Sequence, residues 1–364
     1  MTRELALANG VIYQARPAIE TDGRREAMVQ ELLLAMEMEE SEGGLSSLEL
    51  RFVNSAQLAQ SGIDFAFEYS DVDALSLGKS VRVLAGNEDD PQEIFSGVIS
   101  ALELMMSRER QPELVVLAED ALQKARMARR TRVHQAAALR DLVETIASDL
   151  GLQARIEGLS ANVDVQMQLN ESDLAFLRRV LGRYDVDLQI VGNELQVSPR
   201  SEVRRSEVTL EFNSQLKSLR AVADLAHQTS KVTFSGWDVS QGQAITVETE
   251  STADLGPGTG RTGAQILADA LAERAEHIGN AAVTNESEAQ ALVSACFSQR
   301  ARRFVRVAGI AEGNPALRVG AHVTLQGVGP RFENTYYVTK TRHRYDLSNG
   351  YQTEFEAECG YFGG

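Results

Sequence analysis

The chain has 364 residues, 43% hydrophobic and 24% charged, enough for two or three domains with a core in each. It carries 52 acidic against 36 basic residues, a formal charge of −16, and since phosphate neutralisation dominates nucleic-acid affinity this balance argues against a nucleic-acid partner. Cys296 and Cys359 are too few to build a structural zinc site, and nothing approaches the ~18 consecutive apolar residues of a membrane span. The N-terminus has no signal-peptide pattern, so the expectation is cytoplasmic synthesis without membrane insertion.

Residues 1–122 read as mostly β. Ala18-Ile19 begins an early strand, and Leu32, Leu33, Leu34, Met36 and Met38 mix helical and strand periods across Ala27 to Glu39. Leu48 to Phe52 alternates as a strand. Leu75 to Leu84 is a turn feeding a strand, Glu93 to Leu104 is the next strand with a bulge expected at Gly97, and Glu113 to Ala118 returns. Short strands divided by turns predict a small barrel or sandwich.

Residues 123–205 read as an αβ insert. It opens with Lys124, Arg126, Arg129, Arg130, Arg132 and His134, a solvated connector or a surface for an acidic partner. Leu139, Leu142, Val143, Ile146 and Leu150 fall on one face of a helix stopped by Gly151. Asn170 to Asp173 supplies helix caps, Leu174, Leu177, Val180 and Leu181 recur at helical spacing, and Gly192-Asn193 turns a hairpin closed by Pro199.

Residues 206–240 resume β character, and Trp237 is expected as a core or junction anchor. Residues 241–303 read as a linker and a helical insert, with helices at Ala264 to Ile278 and Ser287 to Arg303. Residues 304–364 are β again and echo the first segment. Leu77-Gly78-Lys79-Ser80-Val81-Arg82-Val83 matches Val319-Gly320-Ala321-His322-Val323-Thr324-Leu325. The runs Ile94 to Ile99 and Glu113 to Leu117 are answered in order by Thr335 to Lys340 and Thr353 to Ala357. Gly78 and Gly320 open equivalent strands. Residues 206–240 with 304–364 would thus form a second β-barrel related to the first. The fold class is mainly β, with two related small barrels and α+β inserts.

Chemistry is sparse. Gly258-Thr259-Gly260-Arg261-Thr262-Gly263 has the literal glycine spacing of a dinucleotide loop, but a polar segment broken by Pro257 precedes it where a buried strand is required, and its helix is expected to lead to a second helix. His134, His227, His277, His322 and His343 show no metal-ligand spacing, and Asp71-Val72-Asp73 and Glu88-Asp89-Asp90 lack the rest of a calcium loop. No cofactor, metal or catalytic residue is assigned. A cell-wall-degrading enzyme using an acidic pair is the rival reading.

The helix-hairpin unit from Gln168 to Pro199, with its Ser172-Asp173-Leu174-x-Phe176-Leu177-x-Arg179 start, resembles the phage late control D family. So does the run Asn314 to Phe355, with Gly320-Val323-Leu325, Asn334-Tyr336-Val338 and His343. Glu333-Asn334-Thr335 stands where related hubs often carry glycine. The resemblance implies the baseplate hub of a phage tail or contractile injection system, similar to the N-terminal half of VgrG spikes. It implies a homotrimer between a sixfold, Hcp-like inner tube and a threefold spike, with other baseplate proteins around it. The chain ends just after the last barrel strand, so a separate spike chain is expected. A cargo or effector adaptor in the tube is the remaining alternative. The barrels would carry the tube and trimer contacts, with Tyr336, Tyr337, His343 and Tyr345 as candidate interface anchors and ordinary barrel packing as the equal alternative for each.

Overall fold

The computed structural model describes residues 16–363 apart from 56–66, 68–73, 88, 136–137, 160, 162, 164, 193, 251–254 and 280. The Asp71-Val72-Asp73 cluster, Glu88 and Asn193 therefore lie outside the described residues. The first part of the chain holds β1 (Ala18–Thr21), α1 (Ala27–Leu32), β2 (Leu33–Ser41), β3 (Ser47–Val53), β4 (Ser80–Asn87), β5 (Asp90–Met105) and β6 (Glu113–Glu119). The mixed periods at Ala27 to Glu39 are real: a helical turn runs directly into a strand. No bulge sits at Gly97, which stays in register with Val81. A Cβ there would lie 2.3 Å from the Glu119 carbonyl oxygen, so the glycine serves a close approach between strands.

Next come α2 (Gln123–Met127), β7 (Arg129–His134), α3 (Leu139–Leu150), β8 (Gln153–Ile156), β9 (Gln166–Ser172), α4 (Asp173–Gly182), β10 (Val186–Val191) and β11 (Glu194–Pro199). Helices α3 and α4 bury their apolar stripes with Leu188, Ile190, Leu195 and Val197 in one core. Ser172 caps α4 by accepting from the Ala175 amide, and Gly151 ends α3 in the left-handed region. The basic stretch is more than a solvated connector. It forms α2 and a ribbon strand paired with β9, and Arg132 reaches Asp149 at 2.6 Å while Arg130 reaches Asp173 at 3.3 Å.

The remaining elements are β12 (Ser206–Glu211), β13 (Leu216–Ala223), β14 (Lys231–Asp238), β15 (Gln243–Thr249), β16 (Arg261–Thr262), α5 (Gly263–Ala270), β17 (Ala275–Ile278), α6 (Glu286–Arg302), β18 (Val305–Glu312), β19 (Ala321–Gln326), β20 (Thr335–Asp346), β21 (Gly350–Cys359) and β22 (Tyr361–Phe362). Three expectations are corrected here. The helix expected over Ala264 to Ile278 stops at Ala270, and Ala275–Ile278 becomes a strand. It pairs in parallel with Lys231–Phe234, whose edge it completes. Trp237 is 58% exposed rather than in the core. Strand period two explains this: Val232 and Phe234 point inward with Ile245 and Val247, so Trp237 falls on the solvent face with Ser235. Strand β14, read as part of the second barrel, packs with β15 and α6 instead.

One curled sheet of twelve strands organises the molecule. Its order reveals the repeat. The first six strands run β1-β4-β5-β6-β3-β2, and the other six run β12-β19-β20-β21-β18-β13, so each strand has its counterpart at the same place. The first pair differs in direction: β1 is antiparallel to β4, whereas β12 is parallel to β19. Each half covers its own core, one around Met38, Leu50, Phe52 and Val83, the other around Val307, Val323, Val338 and Phe355. Irregularities repeat too. Strand β5 bulges between Ile99 and Ala101, and β20 between Val338 and Lys340. Strand β2 bulges between Leu33 and Ala35, and β13 between Leu216 and Ser218. The Gly78 amide donates to the Ile99 carbonyl and the Gly320 amide to that of Val338, with φ +84° at both glycines. Ile99, one residue beyond Val98, is thus the counterpart of Val338.

Candidate assembly edges

The two halves join inside the chain where β2 pairs antiparallel with the second part of β20, from Ala35 opposite Asp346 to Ser41 opposite Lys340. Alternation gives this junction two faces. On the core face Met38, Glu40, Thr341 and His343 are buried, with Tyr345 6% exposed. On the other face Arg342 reaches Glu39 at 2.7 Å and Glu37 at 3.3 Å, while Lys340 holds Glu39 at 2.9 Å. Opposite charges across neighbouring strands favour this register.

Glu40 is the polar centre of the core face. Its carboxylate accepts from Arg318 Nε at 2.7 Å and Nη2 at 2.6 Å, from the Val319 amide at 2.7 Å and from Thr341 Oγ1 at 3.0 Å. Burial alone would raise the carboxyl pKa, but the Arg318 charge and these hydrogen bonds outweigh it and hold Glu40 below its usual range. His343 Nδ1 lies 2.7 Å from the Tyr351 hydroxyl. Burial, reinforced by the Arg318 charge, lowers the imidazole pKa to about 3 and keeps it neutral.

Beside this junction a second ionic knot ties the inserts to the sheet. Arg200 reaches Glu42 and Glu358, each at 2.6 Å, and lies 3.4 Å from the centre of the Tyr337 ring. Arg302, from α6, donates to Asp185 at 2.5 and 2.7 Å.

The residues expected to anchor an interface are therefore interior. Tyr336 donates to the Phe332 carbonyl at 2.7 Å, Tyr337 sits under Arg200, His343 meets Tyr351, and the Tyr345 hydroxyl accepts from Arg16 at 3.2 Å. A long strand covered on both edges draws its aromatics into the cores, which corrects the expectation of surface anchors. The glycine loop likewise has an internal use. Gly258 and Gly260 have φ of +111° and +117°, and a Cβ on Gly260 would meet the Phe362 and Gly363 carbonyl oxygens. Strand β16 pairs with β22, and Asn334 Oδ1 accepts from the Thr259 amide at 3.0 Å. The space that a phosphate would need is filled by the chain itself.

Open strand edges are the feature that sequence reasoning missed. Strand β5 continues past its pairing with β4, and on that side residues from Ser100 onward face no strand among the described residues. Beyond Leu216, which also bridges to Phe212, strand β13 pairs only with β18, and this leaves its other edge open from Ser218 onward among the described residues. Along the β5 edge Leu102, Leu104, Met105 and Met106 are 38%, 47%, 42% and 57% exposed. The signal was available in the sequence: apolar residues keep alternating at Leu102 and Leu104 beyond the strand's expected partner.

No curated protein matches the chain by sequence. Solved structures match its fold over nearly the whole length. The 43 kDa tail protein of prophage MuSo2 from Shewanella oneidensis aligns with a TM-score of 0.68 at 10% identity, over 95% of this chain and 98% of that one. A tail protein from Neisseria meningitidis MC58 gives 0.64 at 11%, over 94% and 96%. The E. coli c3393 protein, a component of the type VI secretion system, gives 0.59 at 12%, over 94% and 78%. The fold is that of phage tail proteins with helical insertions. At the level of sequence, residues 55–346 match the family model described as the Alg8 N-terminal domain, and the chain belongs to that family.

Proposed function

We propose that this chain is a structural hub of the late control D kind in a phage tail or contractile injection system. In this reading three copies form a ring that adapts a sixfold inner tube to a threefold spike, and the role is mechanical rather than catalytic. The observation that carries it is the strand-for-strand repeat within one continuous sheet. Two alike units per chain give six around a threefold axis, the backbone symmetry that a sixfold tube requires, while the side chains remain free to differ. The likeness of fold to phage tail proteins supports the same role. Assembly would take place in the cytoplasm before incorporation into the particle.

The test is the mass of the purified chain in solution, followed by imaging with the tube protein of its own particle. The expectation is a trimer that caps tube ends and lyses no cell-wall substrate. A chain that stays monomeric and leaves tube ends bare would refute the proposal.

A further inference from the structure

We infer that the open outer edge of β13 is the docking site for a second copy of this chain, which contributes residues Ser100 to Met106 of its β5. The inference rests on the reading of the chain as a ring subunit and specifies the strands, the register and the chemistry of the joint.

The junction already present inside the chain is the template for this joint. Following the ladders outward from Ile99 and Val338 gives the equivalences. Ile99 pairs with Ala118 and Val338 with Ala357. Ala118 pairs with Leu48 and Ala357 with Val307. Leu48 pairs with Met38 and Val307 with Ala221. Ala221 is thus the counterpart of Met38, and with the bulged Ser100 matching the bulged Thr339, Leu104 is the counterpart of His343. Met38 lies opposite His343 in the internal junction. The same joint between two copies sets Ala221 opposite Leu104, Val222 opposite Glu103 and Arg220 opposite Met105. Because the bulges recur at the same positions in both halves, the register carries across without a slip.

Side chains fit this joint. Leu102 and Leu104 are left partly exposed, yet their counterparts Thr341 and His343 are fully buried by β2. Apolar groups at those places gain by being covered. On the charged face the internal pair of Arg342 with Glu37 is replaced at the equivalent positions by Glu103 and Arg220, the same diagonal with its signs exchanged. A copy can therefore meet its neighbour with opposite charges aligned, and the two edges belong to different strands, so the contact runs head to tail, the kind of joint from which a closed ring is built.

The test uses the full chain with paired cysteines. Ala221→Cys with Leu104→Cys should form intermolecular disulfides under mild oxidation, because facing Cα atoms in an antiparallel pair lie within disulfide reach. Ala223→Cys with Leu104→Cys, two residues out of register, should give roughly tenfold less cross-link. Independently, Glu103→Arg should weaken self-association by about fivefold per joint, and Glu103→Arg with Arg220→Glu should restore it. Trimers that form without the in-register cross-link and without sensitivity to Glu103→Arg would overturn this joint while leaving the trimer intact. A chain monomeric at every soluble concentration and free of cross-links would overturn the joint and the hub reading together.

Discussion

Replacing Glu40 by Ala removes the carboxylate paired with Arg318 in the joint between the two halves. Glu40 is 2% exposed and accepts four hydrogen bonds, two of them from the Arg318 guanidinium. Without it, Arg318 retains the Glu93 carbonyl at 3.5 Å as its hydrogen-bond partner among the described residues, with the Glu93 charge unpaired to it and a neutral His343 beside it. Breaking a buried pair by deleting one partner costs about 3–5 kcal/mol. The Arg318 side chain is 23% exposed, which places the cost at the lower end, about 3 kcal/mol. Urea unfolding followed by far-ultraviolet circular dichroism would measure it. Glu40→Met with Arg318→Met, which removes both charges, should recover most of the loss. The pH dependence carries the same signature. Glu40 titrates below its usual value when folded, so its contribution is complete above the unfolded value of 4.5 and disappears as pH falls through the lower folded one. A loss under about 1 kcal/mol for Glu40→Ala at neutral pH, or no gain on removing Arg318 as well, would refute the reasoning.

Two further outcomes are expected. Gly320→Val should destabilise more than Gly78→Val, as read from their urea midpoints. Both residues have φ +84°, but a Cβ on Gly320 would meet Val203 Cγ1 at 2.8 Å, whereas Gly78 has open space. The shared backbone strain is roughly 1–2 kcal/mol, and equal losses would contradict the packing argument. His343 is neutral when folded, so its contribution to stability is complete above the unfolded value of 6.5 and drains away as pH falls from there toward 3. His343→Leu should flatten the stability profile between pH 7 and 4, and parallel profiles for variant and parent would exclude the imidazole as the cause.

Much of the fold was legible because it rests on local periodicity. The alternation of Leu48, Leu50 and Phe52 and the helical stripe of Leu139, Leu142, Val143 and Ile146 both become buried faces. The repeat was visible through Gly78 and Gly320, although 21 residues separate Gly78 from Ile99 and only 18 separate Gly320 from Val338, and this difference in hairpin length hid the register. Errors arose where long-range pairing decides the outcome. Ala275–Ile278 has a helical neighbour and acceptable helix formers, and turns to strand only because the edge of Lys231–Phe234 is available to it. The burial of the candidate anchors was misread for a related reason. Tyr336 and Tyr337 look like interface anchors by composition, but burial depends on which strands cover them. The open edge of β13 becomes visible only when its ladder is traced, whereas the alternation of Leu102 and Leu104 already marked that of β5.

The joint between β2 and β20 also has a consequence in time. More than three hundred residues separate Ala35 from Asp346, so a ribosome must complete all of them before β2 finds its partner. Contacts this distant in sequence form late. Until then the first half exposes two strand edges, that of β2 and that of β5 beyond Ile99. By the equivalences traced above, a nascent neighbour could join one to the other in the same antiparallel register. That premature union would set Glu40 against Leu102, with Ser76 standing at the position that Arg318 holds in the finished molecule. An unpaired carboxylate among leucines is strongly disfavoured. The same residue that locks the completed chain would thus penalise its half-made form for polymerising, and the proposed ring would wait for the second half to arrive.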